Sequence, residues 1–232
     1  MKNTNRIGLI IPANIKYSPY VKNYISELEA TCTDYHIISW NKKGIPEEVD
    51  YSFDFTVDDH NRFKILVGHL MFAQRCRKYI RRNHIEKLII FTVAPSFFLG
   101  NRLLKKYSNR YIIDIRDDSP FIRVAGKRFV GKCRNAYNVV VSSPKYIGWT
   151  NRAACLCHNV DLELLKKNMY YSAKVSGKLI RIVFAGVMIE ADENIKFLDK
   201  LKGDTRFSHK YIGTDCIGKE TLKTYCIQNR HC

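Results

Sequence analysis

Short apolar runs alternate with longer amphipathic segments through most of the chain. The apolar runs predict buried strands at residues 6–12, 34–40, 86–93, 110–116, 137–143 and 153–159. Between them, apolar positions at helical spacing predict helices at residues 17–31, 62–82, 96–107, 121–135 and 144–149. Strands that alternate with helices in this way are typical of βαβ units and a parallel sheet. Residues 1–165 are therefore predicted to form one complete, doubly wound Rossmann-like α/β domain.

The same alternation begins again after a polar connector, which predicts a linker at residues 166–178. Beyond it, the pattern predicts a strand at 179–185, a turn at Gly186, a helix at 192–202, a strand at 208–214 and a helix at 216–228. A single unit of this kind cannot bury both faces of its strand, so the segment should belong to a larger layer. We expect residues 179–232 to form the first β-α-β-α part of a second, incomplete Rossmann-like domain.

The chain carries a large positive charge, +17 from 39 Lys and Arg against 22 Asp and Glu. This excess favours an anionic partner: nucleic acid, an anionic membrane surface or a phosphorylated small molecule. No helix-turn-helix, zinc-finger or RNP-type aromatic pattern accompanies the charge, so nucleic acid is the least favoured of the three. The basic helix at 62–82 and the basic segment at 101–110 predict a patch for an anionic membrane surface, with a solvated helix face as the alternative.

No apolar run approaches the roughly 20 residues that a membrane-spanning helix needs. We therefore predict a cytoplasmic protein, either free or bound peripherally at the inner face of the membrane. The eight cysteines are scattered and predict free thiols. The C-x-C-H spacing of residues 155–158 differs from the paired C-x-x-C pattern of zinc sites, so no metal site is predicted.

Polar and charged residues follow several of the predicted strands. They are Asn14, Lys16, Tyr17 and Ser18; Arg116, Asp117, Asp118 and Ser119; Ser142 and Ser143; and His158 and Asn159. Ligands of open α/β sheets bind outside the carboxyl ends of the strands, so these are candidate substrate-binding residues. Asp118 and His158 are the candidates for catalytic proton transfer. Helix capping is the alternative for Ser18, for Asp118 or Ser119 ahead of Pro120 at the first helical position, and for Asn159. A structural hydrogen bond is the alternative for His158.

Five stretches are distinctive when they are taken together. They read IGLIIPANIKYSPYVKNYISEL (7–28), DIRDDSPF (114–121), VVVSSPKYIGW (139–149), CHNVD (157–161) and IRIVFAGVMIEADENIKFLDKL (180–201). In combination they resemble bacterial glycosyltransferases of the GT-B type, in particular the family-4-like enzymes of capsular and surface polysaccharide synthesis. The resemblance implies two Rossmann-like domains that face each other across a cleft. It also implies no obligatory metal and no cofactor, since the nucleotide-sugar is the donor substrate.

The resemblance further implies where the substrates lie. The loops at 14–18, 116–119, 142–144 and 158–159 would line the acceptor side of the cleft, and Gly186 would lie near the donor phosphates. The expected activity is sugar transfer from a nucleotide-sugar to a polysaccharide or lipid-linked acceptor.

The chain departs from the family pattern in two places. It carries Met188 and Glu190 where members have a basic residue, and it ends before the E-x7-E-like donor region. We therefore expect a glycosyltransferase or a truncated derivative of one. A non-catalytic remnant that binds acceptor or membrane is the alternative, and a basic nucleic-acid-binding protein is a more distant one.

Overall fold

The structure is a computed structural model that describes residues 6–58, 61–157, 180–185, 191–201 and 203–212. The strands are β1 (Ile7–Ile11), β2 (Tyr35–Asn41), β3 (Tyr51–Asp54), β4 (Lys87–Phe91), β5 (Tyr111–Ile115), β6 (Asn138–Val141), β7 (Cys155–Leu156), β8 (Ile180–Ala185) and β9 (Phe207–Ile212). The α-helices are α1 (Val21–Ala30), α2 (Arg62–Arg82), α3 (Val93–Phe98), α4 (Asn101–Lys106), α5 (Pro120–Asn135), α6 (Ile147–Thr150) and α7 (Ala191–Lys200).

Seven of the described strands form one sheet in the order β3-β2-β1-β4-β5-β6-β7, and all neighbouring pairs are parallel. The register places Leu9 of β1 between Ile37 of β2 and Ile89 of β4. The strand order reverses between β1 and β4, which is the topological switch point of a Rossmann-like sheet. The predicted doubly wound α/β fold is therefore confirmed.

Each face of the sheet has its own hydrophobic cluster, because successive side chains of a strand point to opposite faces. Leu9 and Ile11 pack on one face with Val21 of α1. Ile10 packs on the other face, in a larger cluster that includes Phe72 of α2. Helices thus cover both faces, which explains why the strands are apolar on both sides.

α2 approaches the sheet closely at Gly68. A Cβ atom on this glycine would lie 2.3 Å from two carbons of the Trp40 ring, which is fully buried. Trp40 also packs against Phe53 and Phe72, with ring centroids 5.9 and 6.0 Å away. The absence of a side chain at Gly68 therefore lets this part of α2 lie directly on the indole.

The strand β3 was not predicted from the sequence. Phe53 is the one residue of β3 that is buried, so its sequence YSFD lacks the apolar run of the other strands. Contacts distant in sequence hold it: the Trp40 indole donates to the carbonyl of Phe55 at 2.8 Å, and Asn41 Nδ2 donates to Asp54 Oδ1 at 2.9 Å. Tertiary contacts therefore override a weak local pattern here.

Several predicted boundaries were wrong. The helix predicted at 17–31 is a 3-10 helix at Ile15–Tyr17 followed by α1, and the helix predicted at 96–107 is divided into α3 and α4. Gly100 separates α3 from α4 with a φ of +84°, a left-handed conformation that ends a helix. The helix predicted at 144–149 is a 3-10 helix at Pro144–Tyr146 followed by α6. The strand predicted at 153–159 is only the two exposed residues of β7 within the described part.

The chain divides into two compact units, Met1–Leu165 and Lys166–Cys232. In the second unit β8 and β9 form a separate parallel pair, with Ile182 opposite His209, and α7 connects them along the chain. Parallel neighbours joined by a helix form a βαβ unit. The helix predicted at 216–228 lies outside the described residues.

Candidate functional site

The carboxyl ends of β1, β4, β5 and β6 meet at one edge of the first sheet, because these strands are parallel neighbours. The loops that follow β1, β5 and β6 contain most of the residues predicted to bind substrate. This edge also includes the switch point between β1 and β4, where ligands of open α/β sheets bind. We call it the carboxyl edge.

Asn14 joins the loop after β1 to the loop after β2. Its side-chain Nδ2 donates to Asn41 Oδ1 at 2.7 Å, and its Oδ1 accepts from the backbone N–H of Lys43 at 3.1 Å. The residue is 1% exposed, so both ends of its amide serve buried hydrogen bonds. Asn14 shapes this part of the carboxyl edge.

The three other candidates in the first loop differ in accessibility. Lys16 is exposed and Tyr17 is 58% exposed, so both are open to a ligand. Ser18 is buried, and its hydroxyl oxygen accepts from the Tyr20 hydroxyl at 3.5 Å. Its carbonyl accepts from the N–H of Val21 as α1 begins.

A buried ion pair lies at the end of β5. Arg116 Nη2 donates to Asp114 Oδ2 at 2.5 Å, and the Tyr24 hydroxyl donates to the same oxygen at 2.7 Å. The Asp114 side chain is fully buried and the Arg116 side chain is 3% exposed. The other carboxylate oxygen, Oδ1 of Asp114, is buried and has no hydrogen-bond partner within the described residues.

Arg116 connects several elements behind the carboxyl edge. Its Nη1 donates to the carbonyl of Cys157 at 3.1 Å, and its guanidinium carbon lies 4.9 Å from the centre of the Tyr20 ring. The Ser142 hydroxyl donates to the Arg116 carbonyl at 2.8 Å. Arg116 and Ser142 therefore fix the loops after β5 and β6 relative to each other.

Burial dominates the ionisation of this cluster. It raises the pKa of the Asp114 carboxyl above its ordinary value, and hydrogen bonds from Arg116 and Tyr24 act in the opposite direction. Burial also raises the pKa of the Tyr24 hydroxyl, as does the neighbouring Asp114. The pKa of Asp117 is raised by burial as well, against the effect of Arg116. A carboxylate of raised pKa is better suited to accept a proton near neutral pH.

The carboxylates of Asp117 and Asp118 follow the ion pair, and both residues are exposed. Asp118 Oδ1 accepts from the backbone N–H of Ser119 at 2.7 Å, and its Oδ2 lies 4.0 Å from Lys145 Nζ of the next loop. Ser119 is the N-cap residue of α5 by its extended backbone, and Pro120 is the first helical residue, one position before the predicted start of this helix. The Ser119 side chain makes no capping hydrogen bond.

Ser143 occupies the corresponding position after β6. Its Oγ accepts from the backbone N–H of Lys145 at 3.4 Å and caps the 3-10 helix that follows. Asp118 and Lys145 thus bring a negative and a positive group from adjacent loops together at an accessible surface. Such a pair can orient hydroxyl groups and phosphate groups of a ligand.

A strained residue, Thr92, follows β4 at the switch point. It has φ +64° and ψ 172°, a region that is almost restricted to glycine, and its N–H donates to the Asp114 carbonyl at 2.7 Å. A β-branched residue in this conformation costs roughly 1–3 kcal/mol. Strain of this kind is concentrated at ligand-binding sites, which adds weight to the switch point as a functional position.

Sequence reasoning missed Tyr20, Tyr24 and Thr92, and it did not single out Asp114. Tyr20 is the N-cap residue of α1, and Tyr24 lies four residues later on the helix, so the two side chains face the same side of it. Both rings contact Phe91 of β4, with centroid distances of 5.6 and 5.1 Å. This aromatic pair at helical spacing was the available signal, although it does not show which strand the rings reach.

Three predicted site residues, His158, Asn159 and Gly186, lie outside the described residues. Within the described ranges, no three His, Cys, Asp or Glu side chains are placed to hold a metal ion. In the same ranges, no helix is long and apolar enough to cross a membrane.

Neither a known protein family nor a curated protein matches the sequence. Among solved structures, the chain is similar to the sucrose-phosphate synthase from Thermosynechococcus elongatus, with a TM-score of 0.61 and 11% sequence identity. The similarity covers 97% of this chain and 68% of that protein. That synthase is a GT-B glycosyltransferase, so the comparison supports a GT-B-like fold for this chain. At this identity the likeness shows the fold alone.

Proposed function

We propose that the chain acts in glycosyl transfer, moving a sugar from a nucleotide-sugar to a hydroxyl group of a glycan or lipid-linked acceptor. The observation that carries the proposal is the carboxyl edge of a GT-B-like fold. There the carboxylates of two exposed residues, Asp117 and Asp118, directly follow the buried Asp114–Arg116 pair along the chain. The resemblance to family-4-like enzymes favours an acceptor of capsular or surface polysaccharide synthesis.

The proposed chemistry depends on positioning and on charge. The acceptor hydroxyl lies at the loops after β5 and β6, where Asp117 accepts its proton and the Asp118–Lys145 pair orients neighbouring hydroxyl groups. The nucleotide-sugar is the donor, with its diphosphate near Gly186, and no metal or separate cofactor is required. Positive groups stabilise the departing diphosphate as negative charge develops on it.

A panel of nucleotide-sugars, incubated with the chain and a membrane extract, tests the proposal. We expect sugar transfer from one donor, with Asp117→Asn lowering kcat by about 100-fold or more, as for loss of a general base. Glu27→Gln is the matched control, since Glu27 is an exposed acid in the last turn of α1, at the end of that helix farthest from the loop after β1. Transfer that Asp117→Asn and Asp118→Asn both leave intact would contradict the assigned site. No transfer from any donor, with acceptor or vesicle binding retained, would favour the non-catalytic alternative.

We further propose that the protein binds an anionic membrane surface through α2. Phe63, Leu66 and Leu70 recur at helical spacing on α2 and are 76%, 42% and 53% exposed. The ring of the buried His69, next to Leu70 on α2, lies 6.2 Å from the Phe121 ring in the first turn of α5, so this part of α2 packs near the start of α5. Exposed apolar side chains on a strongly basic chain suit the interface of an anionic bilayer.

Vesicle co-sedimentation tests this partner. The chain should bind vesicles that contain phosphatidylglycerol more strongly than vesicles of phosphatidylcholine alone, and Phe63→Ser with Leu70→Ser should weaken that binding. Val124→Ser is the control, because Val124 is 87% exposed but lies on α5. If the α2 variant and the Val124→Ser control lose vesicle binding equally, a role specific to Phe63, Leu66 and Leu70 of α2 is refuted.

A further inference from the structure

A hollow of about 500 Å³ lies between α2 and α4. Four cationic side chains line it, Arg77 and Arg81 from α2 and Arg102 and Lys106 from α4. Its lining includes none of the residues of the carboxyl edge discussed above. We call it the cationic hollow.

Among the described residues, no acidic side chain pairs with the cations of the cationic hollow. No carboxylate is among the residues that line it. Within the part of the chain that the structure describes, none of its four cations forms an ion pair. Like charges gathered around one concavity repel each other, and a bound anion relieves that repulsion.

One wall of the hollow is held in place before any ligand arrives. Arg77 Nη1 donates to the carbonyl of Phe98 at 2.8 Å and to that of Leu99 at 3.4 Å, at the end of α3. The Arg81 Nε donates to the Arg77 carbonyl at 3.3 Å. The remaining guanidinium N–H groups of Arg77 make no hydrogen bond within the described residues. A guanidinium anchored in this way binds an anion at a lower entropic cost than a free one.

We infer that the cationic hollow binds a phosphate-bearing ligand with at least two negative charges. Arginine forks match the geometry of phosphate oxygens and form charge-assisted hydrogen bonds with them. The volume lies within the range of about 300–1,000 Å³ of small-molecule sites. No aromatic side chain lines the hollow, so it lacks the stacking surface that single-stranded nucleic acid uses. The phosphate can belong to a free small molecule or to a lipid headgroup.

Titration calorimetry of the full chain with inorganic pyrophosphate at 150 mM NaCl tests this inference. We expect saturable binding with one site, and about 100-fold weaker binding for Arg102→Gln with Lys106→Gln, at about tenfold for each charge-assisted hydrogen bond lost. Lys22→Gln with Lys127→Gln is the matched control. Both lysines are exposed and lie outside the hollow, so the control removes the same charge. Circular dichroism checks that both variants remain folded.

A parallel arm uses vesicles that contain phosphatidic acid. Binding of these vesicles that requires Arg102 and Lys106, without binding of pyrophosphate, supports the hollow and identifies a lipid headgroup as the source. Three results overturn the inference. The first is an equal loss of pyrophosphate affinity in the hollow variant and the control variant. The second is the absence of saturable binding of either probe. The third is an RNA oligonucleotide that displaces pyrophosphate equally well from both variants.

Discussion

Neutralising Asp114 should strongly destabilise the first unit. Asp114→Asn keeps the shape of the side chain but removes its charge, which leaves the Arg116 guanidinium in a site where its side chain is 3% exposed. Breaking a buried ion pair on one side costs about 3–5 kcal/mol, because the remaining buried charge no longer has the carboxylate with which it was paired. The Tyr24 hydroxyl also loses the charged oxygen to which it donates at 2.7 Å. We therefore expect the free energy of unfolding to fall by about 3–5 kcal/mol.

Urea unfolding followed by tryptophan fluorescence measures this change in the first unit alone. The chain has two tryptophans, Trp40 and Trp149, and both lie within Met1–Leu165. With an m-value of about 2 kcal/mol per molar urea, the expected loss corresponds to a midpoint lower by roughly 2 M. An m-value equal to that of the unsubstituted chain would show that Asp114→Asn does not change the surface area exposed on unfolding.

Asp118→Asn is the matched control for the same chemistry at an exposed position. Its side chain is 50% exposed, and its cationic neighbours Arg123 and Lys145 lie 3.9 and 4.0 Å away. A surface pair of this kind contributes about 0–1 kcal/mol. The double change Asp114→Leu with Arg116→Met should be less harmful than Asp114→Asn, since it removes both members of the buried pair. A loss below about 1 kcal/mol for Asp114→Asn would refute the reasoning, as would simple additivity in the double variant.

Three further predictions concern the stability of the first unit and its dependence on Gly68, His69 and Thr92. Gly68→Ala should lower the free energy of unfolding in urea by about 1–3 kcal/mol, because its Cβ would lie 2.3 Å from Trp40. Gly131→Ala is the control and should be neutral or stabilising, because a Cβ there meets nothing within 4 Å. Equal effects of the two substitutions would contradict the close contact at Gly68. Burial lowers the pKa of His69 in the folded protein to about 3, whereas the pKa in the unfolded chain is about 6.5. Between these two values the unfolded chain binds a proton at His69 that the folded protein does not bind. The free energy of unfolding should therefore fall by about 2 kcal/mol from pH 7 to pH 5. In the same assay, His69→Phe should abolish this contribution to the pH dependence. Thr92→Gly should raise the free energy of unfolding by about 1 kcal/mol, because glycine adopts this positive φ without strain. The expected result is a higher Tm, and a lower Tm would argue against strain at Thr92.

The polar residues of the carboxyl edge have two kinds of role. Asn14, Arg116 and Ser142 use their side chains in hydrogen bonds to the protein, so they set the shape of the loops. The carboxylates of Asp117 and Asp118 belong to exposed residues instead. Substitutions in the first group should change stability together with activity, while substitutions in the second should change activity with little loss of stability.

The sequence predicted the fold class because its signals are local. The run at 6–12 is apolar at consecutive positions, as a strand covered on both faces must be, and the observed strand is Ile7–Ile11. The helix predicted at 62–82 agrees with α2 from Arg62 to Arg82. Pro120 indicates the start of α5, because the fixed φ of proline suits the first position of a helix. In each case neighbouring residues contain the whole signal.

The sequence did not predict the elements that depend on distant contacts. β3 has a single buried residue, Phe53, and forms because β2 supplies a parallel partner and Trp40 supplies a packing surface. The division between α3 and α4 requires the left-handed conformation of Gly100, which a glycine permits but does not dictate.

By itself, the sequence determined the alternation of strands and helices and the loops in which the polar residues lie. Only the tertiary structure decided which of those residues meet. Tyr24 and Asp114 are 90 positions apart, yet they share a hydrogen bond because α1 packs over the neighbouring strands β4 and β5. Periodicity reports which face of an element is buried, whereas the identity of the partner depends on strand order and register. The candidate site is therefore a property of the assembled sheet.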